Sequence, residues 1–360
     1  IFGLQYKDHK PGDFVCKWNT WKDNVQVSSE VQAKWFLVDS TWPNWTTHYA
    51  VNFDCKIPPQ SSPSAVTLST KDNKYSYSLP VIKTSIQPKR DTLAVCVKPI
   101  TGHFDVPRIL EWFEMIRLSG VDKIILYNSD LFGTTRYVLQ YYQKIGVAEV
   151  VNWPFLLAAL QYADHPPVTP EQRYGIYQQI YLIAMHDCLY RFRGQYEHLL
   201  FIDLDEILLP VKHNSLTSMI KDIRQQYKHG AGFLFDTAWH FEEHGEIKNE
   251  SIPNFLYMQR FSKATFPNDV QPKSILVSDR TISLNFHSIL DVPRHEYSNE
   301  VMPWKEYAYL HHFRGKCDVK FEPWRCKKFL HKPRVDPVMK RYRKDIQKRM
   351  EILMRYFQIK

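Results

Sequence analysis

Short apolar segments alternate with amphipathic ones through the central part of the sequence, and this alternation restricts the fold more than any other feature. Residues 93–97, 121–127 and 198–202 have the composition of buried strands. A helical pattern lies between the first two, with Asp105 suited to cap its start and Gly120 suited to end it. Buried strands that alternate with helices predict an α/β domain.

The N-terminal part of the chain has a different composition. It is rich in Trp, Thr, Ser and Tyr, and prolines interrupt short segments of alternating character that are typical of strands. We therefore expect a small β-rich, sandwich-like domain over residues 1–90, the α/β domain over residues 91–335, and a basic helix over residues 336–360. Hydrophobic residues make up 44% of the chain, a proportion typical of globular proteins.

The charge and hydropathy of the chain indicate which of three kinds of partner it can bind: nucleic acid, a second subunit or a membrane. The formal net charge is +9, and much of the excess follows Trp324, within the basic terminal helix. Zinc-finger spacing and RNP-like aromatic segments are absent from the sequence, so we expect no nucleic-acid partner. Ile346, Met350 and Leu353 recur at helical intervals, which predicts packing on the α/β domain or on a second subunit of a homodimer. No apolar segment reaches the roughly 18 residues that cross a bilayer, so membrane attachment would need a segment absent from this chain.

The cysteines and two glycosylation sequons indicate an oxidising compartment. Six cysteines are spread over the chain without a CxxC pair, which favours disulfides over a zinc site. Their pairing cannot be deduced from the sequence. The sequons begin at Asn44 and Asn249, and together with the cysteines they favour the lumen of the secretory system.

Three carboxylates, Asp203, Asp205 and Glu206, directly follow the buried strand at 198–202. The carboxyl ends of strands are where open α/β sheets bind ligands. Carboxylate oxygens suit Mg²⁺ and Mn²⁺, which proteins commonly hold together with the phosphates of a substrate. Residues i and i+2 lie about 6.6 Å apart along a straight strand, whereas oxygens on one ion lie about 3 Å apart. The chain must therefore turn at Leu204, or one carboxylate must act through water.

Several segments, in order, resemble glycosyltransferase family 92 over roughly residues 93–335. They are PRILEWFEMIRLSGVDKIILYNSD at 107–130, FIDLDEILLP at 201–210, PKSI at 272–275 and HHFR at 311–314. The resemblance implies a GT-A fold, that is, a Rossmann-like domain that binds a nucleotide sugar. It also implies an inverting, Mn²⁺-dependent transfer of galactose from UDP-galactose to a galactose- or fucose-bearing glycan of a glycoprotein, with a β-1,4 linkage. The expected location is the Golgi lumen, as the luminal part of a type II membrane protein.

The resemblance also implies roles for individual residues. Asp203 and Asp205 match the family's DxD motif and would hold Mn²⁺ and the diphosphate. His312 is the first choice for a third metal ligand, although Phe313 follows it where the family usually has Tyr. His287 is the alternative ligand.

The remaining candidates bind the nucleotide or carry out acid–base chemistry. Asn128 and Asp130 end the second strand, where a uracil and ribose would lie, and Lys273 could meet a phosphate. Inversion needs a general base near the acceptor hydroxyl, and Glu242 or Glu243, beside aromatic residues, could supply it.

Two other functions remain open at the level of the sequence. A carbohydrate-binding protein could keep the fold without turnover. A transferase could instead use another UDP-sugar, such as UDP-GlcNAc, because the residues alone do not define a pocket for the donor sugar.

Overall fold

The computed structural model describes residues 1–6, 14–22, 25–38, 48–59, 61–83, 87–154, 169–248, 252–317 and 323–359. The sequons at Asn44 and Asn249 lie outside these residues. None of the described helices combines the length and the apolar character that a membrane crossing requires.

Twenty strands are found in the described ranges. In chain order they are β1 Phe2–Tyr6, β2 Phe14–Lys22, β3 Val25–Gln32, β4 Lys34–Leu37, β5 His48–Asp54, β6 Ala65–Thr70, β7 Ser76–Pro80, β8 Lys89–Gly102, β9 Lys123–Leu131, β10 Ala148–Asn152, β11 Tyr196–Ile202, β12 Glu206–Pro210, β13 Gly230–Phe241, β14 Lys263–Ala264, β15 Asn268–Val277, β16 Ser283–Leu284, β17 Ile289–Asp291, β18 Ser298–Val301, β19 Ala308–Arg314 and β20 Arg334–Val335.

The described chain also contains seven α-helices, several of which begin at a capping side chain. Asp105 accepts a hydrogen bond from the Arg108 N–H at the start of the first, and Asp336 accepts from Val338 and Met339 at the start of the last. The helices are α1 Val106–Leu118, α2 Thr134–Lys144, α3 Pro170–Phe192, α4 Leu216–Gln226, α5 Tyr257–Arg260, α6 Pro323–Phe329 and α7 Pro337–Tyr356.

The chain divides into two compact units, residues 1–87 with 155–195 and residues 88–154 with 196–360. The first unit contains a three-stranded antiparallel sheet, β1-β5-β4, and a four-stranded antiparallel sheet, β3-β2-β6-β7. Trp18 and Phe53 lie in its core, and a disulfide joins Cys16 to Cys55.

Helix α3 belongs to the first unit, whereas the expected boundary at residue 90 assigns it to the α/β domain. The reason is its packing: α3 lies against β5 and β1. The backbone N–H of Ala50 donates to Gln179 Oε1 at 2.7 Å, and both groups are buried. A helix is assigned to the unit that covers its apolar face, and periodicity alone does not identify that unit.

The second unit is built on a mixed sheet of nine described strands in the order β10-β9-β8-β11-β15-β13-β19-β12, with β18 also pairing to β13. Strands β10, β9, β8 and β11 are parallel, so their carboxyl ends meet at one edge. Beyond β11, strand β15 is antiparallel to both of its neighbours, and β12 is antiparallel to β19. The expected α/β class is therefore present with a mixed rather than an all-parallel sheet.

The connection from β11 to β12 shows that this sheet curls. Ile202 ends β11 and Glu206 begins β12, although the two strands are four places apart in the hydrogen-bonding order. Four residue steps span at most about 14 Å, whereas four strand spacings in a flat sheet are about 19 Å. Curling brings the outer strands back toward the end of β11.

Helices α1 and α7 pack against each other in the core of the second unit. Trp112 and Phe113 of α1 and Ile346 and Met350 of α7 are fully buried. The basic terminal helix therefore packs on the α/β unit, which is one of the two arrangements expected from its sequence. A homodimer stays a prediction.

Candidate active site

The acidic segment forms a tight turn at the carboxyl end of β11. The Glu206 N–H donates to the Asp203 carbonyl at 3.0 Å, so the chain turns at Leu204. The Asp203 N–H in turn donates to Glu206 Oε2 at 2.9 Å. Glu206 is 1% exposed and stabilises the turn from within.

Two lysines face this turn from neighbouring strands. Lys98 on β8 places its Nζ 2.8 Å from Asp203 Oδ2. Lys273 on β15 places its Nζ 3.1 Å from Glu206 Oε2 and 3.9 Å from Asp203 Oδ2. Lys98 is adjacent because Val97 pairs with Ile202 in the sheet, which puts the next residue of each strand side by side.

The pKa values of these groups reflect burial opposed by their partners. Burial would raise the pKa of Asp203, but the charges on Lys273 and Lys98 outweigh it and hold that pKa below its ordinary value. Burial keeps the pKa of Glu206 above its ordinary value despite Lys273. Burial also opposes the charge on Lys273, yet Glu206 and Asp203 raise the pKa of that ammonium group. The three groups form a paired, largely buried cluster.

Asp205 is the accessible carboxylate of the turn, and the buried His312 contacts it from β19. His312 Nε2 lies 3.4 Å from Asp205 Oδ2, and His312 Nδ1 lies 3.4 Å from Glu206 Oε1. The Asp205 side chain is 41% exposed. Burial would raise the pKa of Asp205, but His312 and the two lysines lower it, so the carboxylate is ionised at neutral pH.

Strand pairing fixes the ring of His312. His312 on β19 pairs with Glu206 on β12 and with Trp239 on β13. The Trp239 ring stacks on the imidazole at a centroid distance of 4.7 Å. The histidine therefore reaches the acidic turn from a buried, well-packed position.

Asp205 and His312 together offer two ligand atoms to a divalent cation. A carboxylate oxygen and an imidazole nitrogen 3.4 Å apart are close to the separation of neighbouring ligands on one ion, about 3 Å.

His287 occupies a different environment from His312. Its Nδ1 donates to the Pro272 carbonyl at 3.0 Å, and burial, with the charge on Lys273, lowers its pKa to about 4. Within the described chain it makes no ion pair with Asp203 or Asp205. His312 is therefore the histidine that contacts the acidic turn, whereas His287 lies close enough only for the charge on Asp203 to act on its pKa.

Asn128 and Asp130 lie on β9, at the edge of the sheet that carries the acidic turn. Asn128 pairs with Ile100 of β8, two residues beyond Lys98. Its Oδ1 accepts a hydrogen bond from the Leu131 N–H at 3.0 Å, and Asp130 is exposed. Both residues lie one strand away from Lys98, and neither is bonded to the acidic turn.

The two candidate bases, Glu242 and Glu243, differ in their hydrogen-bond partners. Glu242 and Glu243 lie in a 3₁₀ turn that directly follows β13. Glu242 Oε1 accepts a hydrogen bond from the Tyr257 hydroxyl at 3.0 Å. Glu243 is exposed, and its Oε1 accepts from the Cys317 N–H at 2.9 Å, which gives it a structural role.

Tyr257 holds Glu242 and lies close enough to Asp205 for that carboxylate to act on its pKa. The Arg108 guanidinium lies 3.8 Å from the centre of its ring. Burial raises the pKa of Tyr257 to about 12, with contributions from the carboxylates of Glu242 and Asp205. The buried Glu111 accepts the backbone N–H groups of Met258 and Gln259, so it holds the turn that presents this tyrosine.

Sequence reasoning missed Tyr257, and it placed Lys98 at the strand end where the nucleotide would lie without connecting it to the acidic residues. Lys98 directly follows an apolar strand at the edge where ligands bind, and that position was a usable signal. Tyr257 lies on a four-residue helix, which is too short to show a periodic pattern. Its place beside Glu242 depends on tertiary packing.

The model of glycosyltransferase family 92 matches residues 91–351. The chain belongs to glycosyltransferase family 92. Among curated relatives, this family 92 member is similar to the β-1,4-galactosyltransferase galt-1 of Caenorhabditis elegans, with 26% identity over 122 residues. That match covers 33% of this chain and 25% of the relative, so the chain spans about a quarter of the length of the protein it matches.

Among solved structures, this family 92 member shows weak likenesses. The crystal structure of S. aureus TarS 1–349 has a TM-score of 0.31 and 12% identity, covering 61% of this chain and 60% of that one. The same protein in complex with UDP-GlcNAc gives the same TM-score and identity, covering 63% and 59%. A mycobacterial protein has a TM-score of 0.28 and 12% identity, covering 72% and 75%. Likenesses of this size have no bearing on activity.

Proposed function

We propose that this chain is an inverting galactosyltransferase that moves galactose from UDP-galactose to a hydroxyl of a glycan on a glycoprotein, forming a β-1,4 linkage. The observation that carries the proposal is the pairing of Asp205, an accessible carboxylate, with the imidazole of His312 at the ligand-binding edge of the sheet. Family membership and the similarity to a β-1,4-galactosyltransferase support the class of reaction, the donor and the linkage.

The proposed fold of the second unit is of the GT-A type. Four parallel strands followed by a mixed set, with the acidic turn at the carboxyl edge of β11, support that assignment. Asn128 and Asp130, one strand away from Lys98, are then the groups proposed to meet the uracil and ribose.

In this proposal Asp205 and His312 hold Mn²⁺, with Asp203 beside them. When bound, such an ion supplies positive charge that stabilises the diphosphate as it leaves. Lys98 and Lys273 add two ammonium groups on the same side of the turn. Asp203 orients the partly exposed Lys98, whose ammonium group can then donate hydrogen bonds to phosphate oxygens, while the buried Lys273 adds positive charge.

Glu242 is the proposed general base. Its carboxylate takes the proton of the acceptor hydroxyl as that oxygen attacks the sugar carbon opposite the leaving diphosphate. The hydroxyl of Tyr257 holds one carboxylate oxygen, which leaves the other oxygen to face the acceptor.

The proposed location is the Golgi lumen. Disulfides within each unit, Cys16–Cys55 and Cys317–Cys326, support an oxidising compartment. No cysteine in the described chain is a free thiol.

Release of UDP tests the proposal directly. We expect release from UDP-galactose in the presence of Mn²⁺ and a β-galactoside acceptor, and its loss on addition of EDTA. Faster release from UDP-GlcNAc would assign a different donor. Binding of UDP-galactose without release, with any acceptor on a glycan array, would favour a carbohydrate-binding protein that lacks turnover.

Replacing the proposed base, Glu242, distinguishes a role in the transfer step from a role in binding UDP-galactose. We expect Glu242→Gln to lower the turnover number by about 10²–10⁴-fold, because the amide cannot accept the proton. The affinity of the Glu242→Gln variant for UDP-galactose, measured by calorimetry, should stay unchanged. Glu243→Gln makes the same chemical change one residue away and should keep at least half of the activity. Equal turnover by the two variants would remove Glu242 from the mechanism.

A further inference from the structure

A cavity lies at the opposite end of the parallel strands from the acidic turn. Its volume is about 530 Å³. It is lined by the first residues of β8 and β11, by α4 and by the turn after β15. Arg90 at this cavity and Lys98 at the acidic turn are both on β8, eight residues apart, which corresponds to about 26 Å along a strand. A ligand here would not overlap the proposed donor site.

The cavity wall is strongly basic. We call it the basic cleft, and its cationic residues are Arg90, Lys221, Arg224, Lys228 and Arg280. Asp91 and Glu197 also line it, and Asp279 lies close enough to influence the pKa of Arg224. Cations therefore outnumber carboxylates in and around the cleft.

Two guanidinium groups are held close together in the cleft. Arg224 Nη1 donates to the Gly230 carbonyl at 3.4 Å, and Arg280 Nη1 donates to the same carbonyl at 3.1 Å. Arg280 also donates to the Lys228 carbonyl at 2.6 Å. Burial, and then the charge on Arg280, lower the pKa of Arg224. Like charges that share one neutral acceptor repel each other, and an anion between them would relieve that repulsion.

The carboxylates in the cleft compensate this repulsion only in part. Glu197 Oε1 lies 3.5 Å from Arg224 Nη2, at the limit of a hydrogen bond, and both side chains are 21% exposed. Glu197 Oε2 accepts the backbone N–H of Asp91 at 2.8 Å instead. Each guanidinium has five N–H donors, so both keep donors for a ligand.

We propose that the basic cleft is a second ligand site, which binds a compact organic molecule carrying sulfate or phosphate groups. Paired guanidinium groups match the geometry of tetrahedral oxyanions, to which they donate charge-assisted hydrogen bonds. The cavity is within the size range of pockets that hold small organic ligands, so it has room for a sugar-sized body as well as the anion. Lys221 and Lys228, both exposed, lie at the rim and attract a multiply charged ligand.

Calorimetric titration of the full chain at 0.15 M salt tests this proposal. The probes are a sulfated heparin disaccharide, fructose 1,6-bisphosphate and neutral lactose. We expect at least one charged sugar to bind, and the one that binds more tightly identifies the preferred anion as sulfate or phosphate. Lactose should bind more weakly by at least about tenfold, since the anion supplies the affinity. Failure of both charged sugars, or equal binding of lactose, would overturn the proposal.

Substitutions in the basic cleft test whether the charged sugar binds there. We expect Arg224→Gln combined with Arg280→Gln to weaken binding by at least about tenfold, because charge-assisted hydrogen bonds are lost. The matched control is Lys340→Gln combined with Lys344→Gln, which removes the same charge from the exposed face of α7 and should bind like the unaltered chain. If the arginine variant is unfolded by thermal scan, Lys221→Gln with Lys228→Gln replaces it, since both side chains are exposed.

A last variant distinguishes binding in the basic cleft from binding at the acidic turn. Lys98→Gln removes a cation at the acidic turn, and it should bind the charged sugar as tightly as the unaltered chain does. Loss of binding in Lys98→Gln would assign the ligand to the acidic turn and overturn the proposal. Unchanged binding by both cleft variants would also overturn the proposal.

Discussion

Asp205→Asn is expected to lower sugar transfer by at least about 10²–10³-fold, because it removes the charged oxygen that pairs with His312 at the accessible face of the acidic turn. The amide keeps the shape of the side chain but is a poor ligand for a divalent cation. The side chain is 41% exposed, so the substitution should leave the fold unchanged. Initial rates of UDP release under saturating Mn²⁺ measure the effect.

A matched variant controls for the loss of one negative charge. Asp345 is exposed on α7, and Asp345→Asn should transfer sugar at the rate of the unaltered chain. Mn²⁺-dependent binding of UDP, measured by calorimetry, should disappear in Asp205→Asn and persist in the control. Full transfer activity in Asp205→Asn would exclude the metal role of the acidic turn.

Lys273→Met is expected to lower the free energy of unfolding by about 3–5 kcal/mol, because it leaves the buried carboxylate of Glu206 without its cation. The Lys273 side chain is 7% exposed and that of Glu206 is 1% exposed, so water cannot replace the lost charge. Asp203 is affected less, since Lys98 remains 2.8 Å away. Urea denaturation, followed by tryptophan fluorescence, measures the change.

A double variant distinguishes a lost pair from lost packing. Lys273→Met combined with Glu206→Gln removes both charges, and Gln can still accept the Asp203 N–H, so most of the stability should return. Lys340→Met on the exposed face of α7 should change stability by less than about 0.5 kcal/mol. If the double variant is as unstable as Lys273→Met alone, the effect comes from the shape of the lysine chain and the ion pair contributes little.

Local patterns in the sequence were sufficient to predict several elements of the second unit. The helix expected between Asp105 and Gly120 is α1, because a capping aspartate and a glycine flank an amphipathic segment. The strand ending at Ile202 and the acidic residues after it were also found from local composition. These features depend on residues that are close together in the sequence, so local patterns are enough to predict them.

Features that depend on distant parts of the chain could not be predicted in the same way. The packing of α3 on β5 depends on contacts such as that between Gln179 and Ala50. The positions of Lys98 and Lys273 beside Asp203 depend on strand order and register, and a change of one residue in register would reverse the face of each side chain. His312 was the first choice from the sequence, but its contact with Asp205 likewise depends on the pairing of β19 with β12 and β13.

The route of the chain through the curled sheet has a consequence for biosynthesis. Strand β19 lies between β12 and β13, and it alone brings His312 to the acidic turn. A nascent polypeptide that has emerged from the ribosome only as far as β18 would have the carboxylates but not the imidazole. Because domains fold as units, its unpaired strand edges would stay exposed until β19 arrived. Truncations that remove β19 should therefore yield protein that is retained by chaperones instead of a weakened enzyme.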